Sequence, residues 1–309
     1  MNGHSLRQRA SGDHAVSPLA AGKVCTMMLA WRVRAIAVTA SLLCASVFAG
    51  GVAAAAPGHN TVADSQYYVA LGDSGAATTG VQSFDVEAPL RCAQSTANTP
   101  KLLARTLGVQ LDDRTCSSAK IPDLYGSQGP GVAPQFDALG PNTKLVTLHI
   151  GANDARFTDF ILSCVAENLV GRTCARGEEW SAAIQAIRPA YAAALEEIHR
   201  RSPDANVVVD GWPIYLRPQG CADALLTGPN AAYVQSKFDE LSSVVSSEAA
   251  AHGAVYVETR TAGLGHDACA PRSERWIEPV LADQTLVPFH LTLRGMSDIA
   301  AELKAASGS

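Results

Sequence analysis

The stretch Tyr67-Tyr68-Val69-Ala70-Leu71-Gly72-Asp73-Ser74 begins as a short apolar run and breaks at glycine, with a serine two residues later. A buried strand that ends in this way holds the serine hydroxyl at the carboxyl edge of a sheet, where ligands collect in open α/β folds. Such a serine can act as a nucleophile if a base reaches it. Taken alone, Gly-Asp-Ser also reads as an ordinary strand-exit turn. Two further polar clusters change the balance. Gly151-Ala152-Asn153-Asp154 follows the apolar run Lys144 to Ile150, and Pro288-Phe289-His290-Leu291-Thr292 precedes the last helical pattern. Serine, asparagine and histidine at strand exits or neighbouring loops form the set that acyl transfer needs. A base takes the hydroxyl proton, and fixed donors hold the oxyanion that develops on the attacked carbonyl.

The elements that must position these residues follow from periodicity. Apolar runs at 67–71, 109–111, 144–150, 206–210 and 254–258 read as five strands, the third buried on both faces. Between them lie helical patterns. Asn98-Thr99-Pro100 opens a helix that Gly108 ends. Residues 180–201 read as one helix kinked at Pro189 and stopped by Pro203. Val234, Phe238, Leu241 and Val245 mark another, closed by Gly253, and Met296, Ile299 and Leu303 share one face of the last. Strands alternating with amphipathic helices predict a parallel sheet covered on both sides, in a single domain over residues 58–309.

The chain has 309 residues, of which 47% are hydrophobic and 17% charged, an ordinary globular balance. Its first 56 residues stand apart. Arg7, Arg9, Lys23, Arg32 and Arg34 precede 22 uncharged residues, Ala35 to Ala56, which end in small side chains. That order describes a secretory signal peptide with an N-terminal extension, cleaved near Ala54 to Ala56. The uncharged stretch is long enough to span a bilayer, but its alanine- and glycine-rich second half favours cleavage. A start at Met27 or Met28 would give a charged leader of ordinary length. Residues 57–309 hold 19 Lys and Arg against 28 Asp and Glu, a formal net charge of −9 against −5 for the whole chain. An acidic exported chain lacks the basic footprint of a nucleic-acid binder.

Cys25 and Cys44 lie in the leader. Cys92, Cys116, Cys164, Cys174, Cys221 and Cys269 remain, an even number that reads as three disulfides in an oxidising compartment. Sequential pairing is one of 15 connectivities. No C-x-x-C, H-E-x-x-H, G-x-x-x-x-G-K-[ST] or G-x-G-x-x-G after the first strand is present, so neither metal nor nucleotide nor flavin is inferred, and no cofactor is expected. G-x-S-x-G is absent as well, which excludes the α/β-hydrolase elbow.

The chain resembles the SGNH/GDSL hydrolases, most closely their secreted, three-disulfide esterases and lipases of actinobacterial type. Tyr68 to Ser74 match the first block, Gly151-Ala152-Asn153-Asp154 the third, and Pro288-x-His290-x-Thr292-x-x-Gly295 the last. The cysteines fall where that subgroup has them, including Gly265-His266-Asp267-x-Cys269. The resemblance implies a three-layer α/β/α sandwich with a five-stranded parallel sheet, flavodoxin-like in form. It implies Ser74 as nucleophile, His290 as general base, and the Ser74 N–H and Asn153 amide as oxyanion donors. Asp73 and Asp154 would brace loops.

Two departures stand out. The second block usually reads Cys-Ser-Gly-Ala, whose glycine N–H is the third oxyanion donor. Here Ser118 takes that place, in Cys116-Ser117-Ser118-Ala119, where glycine tolerates angles that serine resists. Many relatives also carry an aspartate three residues before the histidine, where this chain has Val287. The backbone carbonyl of Val287 is the expected support for His290, with Asp283 as the alternative. His149 reads as a satisfied structural histidine and His266 as loop packing. Phe157, Phe160 and Ile161 read as core or as an acyl pocket, and Arg156 and Arg176 as surface charges.

The expected activity is hydrolysis of carboxylic esters through an acyl-serine intermediate. The alternatives are O-deacetylation of a polysaccharide on the same fold, or a degenerate relative that binds lipid or glycan without turnover. The expected partners are a small-molecule or lipid ester and, transiently, a lipid surface. No nucleic acid is expected, and the protein is expected to be a monomer.

Overall fold

The computed structural model describes residues 67–78, 83–174 and 178–308. The expected leader, residues 1–56, and Arg176 lie outside the described residues. Five parallel strands form one sheet: β1 (Tyr67–Gly72), β2 (Gln110–Asp113), β3 (Thr143–His149), β4 (Asn206–Asp210) and β5 (Val255–Val257). Their spatial order is β2-β1-β3-β4-β5. All five lie within two residues of the runs read from the sequence.

The strand order reverses between β1 and β3. A crevice opens at such a switch point, outside the carboxyl ends of the strands. β1 and β3 are paired there in register, Gly72 opposite His149. The two loops that carry Ser74 and Asn153 therefore leave the sheet side by side.

The helices that position the site are α1 (Ser74–Ala77), α2 (Thr99–Leu107), α3 (Phe157–Leu169), α4 (Glu179–Ala186), α5 (Arg188–Arg201), α6 (Gly228–Ala251) and α7 (Leu293–Ala306). α2 and α7 pack together, and α4 and α5 both pack on α6. The Asn98 side chain caps α2 by accepting from Lys101 N at 3.0 Å, as its position before Thr99-Pro100 predicts. The single kinked helix expected over 180–201 is two helices. Pro189 has no N–H to return to the carbonyl four residues earlier, so α4 ends at Ala186 and α5 restarts at Arg188. A two-stranded hairpin, Gly220–Cys221 with Leu226–Thr227, was not legible beforehand because two-residue strands carry no period.

Among the described residues three disulfides form, and they take the sequential pairing: Cys92–Cys116, Cys164–Cys174 and Cys221–Cys269. The first ties the loop after β2, which carries Ser118, to the segment before α2. The third ties the hairpin to the loop at His266.

Candidate active site

β1 ends where only glycine fits. Gly72 has φ +154°, and a Cβ added there would sit 2.5 Å from the His149 carbonyl oxygen. Asp73 N donates to that same carbonyl at 3.0 Å. The chain then turns directly into α1. Asp73 is its N-cap, with Oδ1 accepting from Gly75 N at 2.8 Å. Ser74 is thus the first residue of a helix, and its own N–H has no intrahelical partner. Asp73 is almost fully buried, and burial pushes its carboxyl up to about 6 against the opposing pull of His149.

The Asn153 amide is aimed by a neighbouring loop. Its Nδ2 donates one bond to the Ala119 carbonyl at 3.0 Å, which leaves a second N–H. The Asp154 carboxylate accepts from Ile121 N at 3.1 Å, and burial pushes its pKa up to about 6. Asn153 and Asp154 together fasten the Ser118 loop to the exit of β3. Ser118 itself adopts φ +64°, the left-handed angle that glycine takes freely. It is exposed, and it is not among the residues that line the cavity described below.

His290 sits on a segment laddered to its neighbour. Glu278 N donates to the His290 carbonyl at 2.9 Å, and Phe289 N to the Glu278 carbonyl at 3.0 Å. The expected support from Val287 is corrected here. His290 Nδ1 lies 2.9 Å from the Pro288 carbonyl, and the Val287 carbonyl accepts from Thr285 Oγ1 instead. The reason is local: Phe289 has φ +55°, a left-handed turn that folds the Pro288 carbonyl back toward the ring. Asp283 is exposed and faces Arg272 and Arg275 at 3.5 and 3.4 Å. A proton held at Nδ1 leaves Nε2 as an acceptor. Burial, helped by the charge of His149, lowers the His290 pKa below its ordinary value of 6.5 despite the Pro288 bond, which favours the neutral, base-competent ring.

Ser74, Asn153, Val287 and His290 line one cavity of about 260 Å³. Its remaining wall is mostly apolar, built from Phe157, Ile161, Leu162, Trp212, Tyr215, Phe238 and Phe289. Tyr215 stacks on Phe238 with centroids 3.8 Å apart, and Phe157 leans on Phe238 at 4.8 Å. Phe160 is not in the wall. It stacks on Trp180 at 5.0 Å, beneath the exposed Arg156. The Ser74 hydroxyl has no hydrogen bond to His290, and such contacts often tighten only once substrate is bound.

Sequence reasoning missed Gln135, whose side-chain amide hydrogen-bonds both the N–H and the carbonyl of Gly72, as well as Pro288 and most of the apolar wall. Trp212 had a signal, since it follows β4 by two residues at the same sheet edge. Gln135 had none.

The model of the GDSL-like lipase/acylhydrolase family matches residues 70–297. The chain belongs to this family. It is 40% identical over 235 residues to Lipase 2 of Streptomyces coelicolor, covering 72% of this chain and 79% of that protein. A lipase of Streptomyces rimosus is 31% identical over 234 residues, with 74% and 82% covered. Among solved structures, phospholipase A1 from Streptomyces albidoflavus NA297 superposes with TM-score 0.68 at 29% identity, covering 78% of this chain and 99% of that one. An extracellular lipase from Streptomyces rimosus superposes with TM-score 0.61 at 28% identity, with 78% and 99% covered. As a GDSL-like acylhydrolase the protein is a carboxylic ester hydrolase, and its sheet and flanking helices are those of the SGNH fold.

Proposed function

We propose that the protein is an exported lipase or esterase that cleaves acyl esters through an acyl-Ser74 intermediate. Ser74 Oγ attacks the ester carbonyl while His290 Nε2 takes its proton. The carbonyl oxygen becomes an oxyanion, held by the Ser74 N–H and the free N–H of Asn153, with the N–H of Ser118 as the outlying third donor. When the tetrahedral intermediate collapses, the alkoxide leaves with the proton from His290. Water then attacks the acyl-enzyme while His290 takes its proton; as the second tetrahedral intermediate collapses the acid leaves and His290 returns the proton to Ser74 Oγ. The observation that carries this reading is that Ser74, Asn153 and His290 share one cavity whose remaining wall is mostly apolar. An apolar wall suits an aliphatic acyl chain, each buried CH₂ being worth about 0.8 kcal/mol.

Lipid esters are the proposed substrates, in keeping with the lipase and phospholipase relatives. Export follows from the leader read in residues 1–56, and a monomer suffices, since every proposed group comes from one chain. The test is turnover of chromogenic esters from acetyl to palmitoyl by purified residues 57–309, beside Ser74→Ala. The expected result is activity that rises beyond acetyl and vanishes in the variant. Release of acetate alone would favour a deacetylase. No turnover of any ester by the folded, oxidised protein would overturn the proposal.

A further inference from the structure

A carboxylate stands directly before the proposed nucleophile. Asp73 Oδ2 is buried, with no hydrogen-bond partner among the described residues. Negative charge here opposes the negative charge that an ester oxygen gains during attack, and a buried anion without compensation is costly. The compensating group is on the next strand. His149, the last residue of β3, is buried, with Nδ1 2.9 Å from Oδ2 of Asp210, the last residue of β4. Its Nε2 lies against Gly75: a Cβ added to Gly75 would collide with Nε2 and come within 3.2 Å of Asp73 Oδ1. The ring also sits 4.7 Å from that of Trp212, in the cavity wall.

We propose that His149 is a positioning residue for ester hydrolysis. Paired with Asp210, it offsets the charge of Asp73 beside Ser74. This rests on the Ser74 reading above. The titratable groups around it are Asp210 from β4, Asp73 from the turn after β1, and His290 from the segment before α7. Tyr68 from β1, Tyr191 from α5 and Tyr215 feel one or both carboxylates, and burial pushes all three phenols upward, so they stay neutral. Burial works against charge on His149, but Asp210 and, behind it, Asp73 outweigh it, so that the ring keeps its proton up to about 9.

The test is His149→Gln, which keeps an amide to face Asp210 but no charge. The expected result is a kcat reduced about 10- to 100-fold with KM little changed. The acid limb of kcat/KM should also move up by about one pH unit, because His290 loses a like-charged neighbour. Adding Asp73→Asn, which keeps the cap acceptor for Gly75, should restore about tenfold at alkaline pH, where Asp73 is ionised even without the histidine's charge. A purely structural role would give neither the pH shift nor the rescue. Wild-type kcat, an unmoved acid limb, or no rescue overturns the proposal. Should His149→Gln fail to fold, nitrogen NMR of the histidine-labelled wild type decides: both ring nitrogens protonated at pH 8 is expected, and a neutral His149 overturns it. Ser74→Ala assayed in parallel separates the two proposals. Residual turnover there removes the nucleophile assignment and leaves the charge on His149 to be read by NMR.

Discussion

Gln135 clamps both polar groups of Gly72: its Oε1 accepts from Gly72 N at 2.8 Å and its Nε2 donates to Gly72 O at 2.9 Å. The clamp grips the chain two residues before Ser74, at the point where the strand must stop and the helix begin. Gln135 is itself almost fully buried. The Gly72 carbonyl also accepts from Cys116 N at 3.0 Å, so replacement of Gln135 strands chiefly the N–H. Gln135→Leu is therefore expected to cost about 1–3 kcal/mol of stability, measured by urea denaturation with the disulfides intact. It should also lower kcat several-fold by loosening the Ser74 turn. An unchanged kcat would show that the His149 carbonyl alone sets that turn.

Ser118 occupies the left-handed region without a glycine's freedom. A non-glycine residue there costs roughly 1–2 kcal/mol, partly offset by the entropy that glycine loses on folding. Ser118→Gly is expected to stabilise the fold by about 0.5–1 kcal/mol, with kcat at or above the wild-type value. Serine has not driven the loop out of the left-handed region; it endures the strain because the Cys92–Cys116 disulfide and the Asn153 and Asp154 contacts fix the loop on both sides. A lower denaturation midpoint for the glycine variant would contradict this.

The legible part of the molecule was the part written in local pattern. Ser74 and Asn153 could be placed at one sheet edge because each follows an apolar run that ends in glycine, and the parallel sheet follows from strands alternating with helices. What stayed hidden depends on non-local packing or on a single torsion. Gln135 reaches Gly72 across 63 residues. His149 meets Asp210 because β3 and β4 are neighbours, which the order of strands in the chain does not state. The acceptor for His290 moved from Val287 to Pro288 because Phe289 is left-handed, an angle rarely taken by a bulky residue.

That shift makes Asp283 and Val287 separable by kinetics. Asp283 spends its carboxylate on the exposed Arg272 and the buried Arg275, away from His290, so Asp283→Asn, which keeps an acceptor for both guanidiniums, is expected to leave kcat/KM within about threefold. Val287 lines the cavity with its side chain, while the acceptor for His290 is the carbonyl of the next residue. Val287→Ala should therefore act on substrate fit, raising KM for long acyl chains several-fold with a smaller effect on kcat. Loss of activity on Asp283→Asn would return that carboxylate to the mechanism.

The His149–Asp210 pair also predicts how stability depends on pH. His149 is raised from 6.5 to about 9 in the fold, so the native state binds a proton more tightly than the unfolded chain. Its contribution is complete below pH 6.5 and is lost as pH rises through about 9. At 1.4 kcal/mol per unit the full loss is about 3–4 kcal/mol. Asp73 and Asp154, raised from 3.8 to about 6, have the same sign in a lower window. Their contribution is complete below about 3.8 and gone above about 6. The range from pH 6.5 to 9.5 therefore isolates the histidine from both carboxylates, and the six disulfide-bonded cysteines do not titrate there. Urea denaturation of residues 57–309 across that range should show stability falling with pH. Asp210→Asn should start lower and fall less, because the carboxylate that retains the proton is gone. Equal slopes in the two proteins would mean that His149 is neutral at pH 7 and that Asp210 holds it by an uncharged hydrogen bond alone.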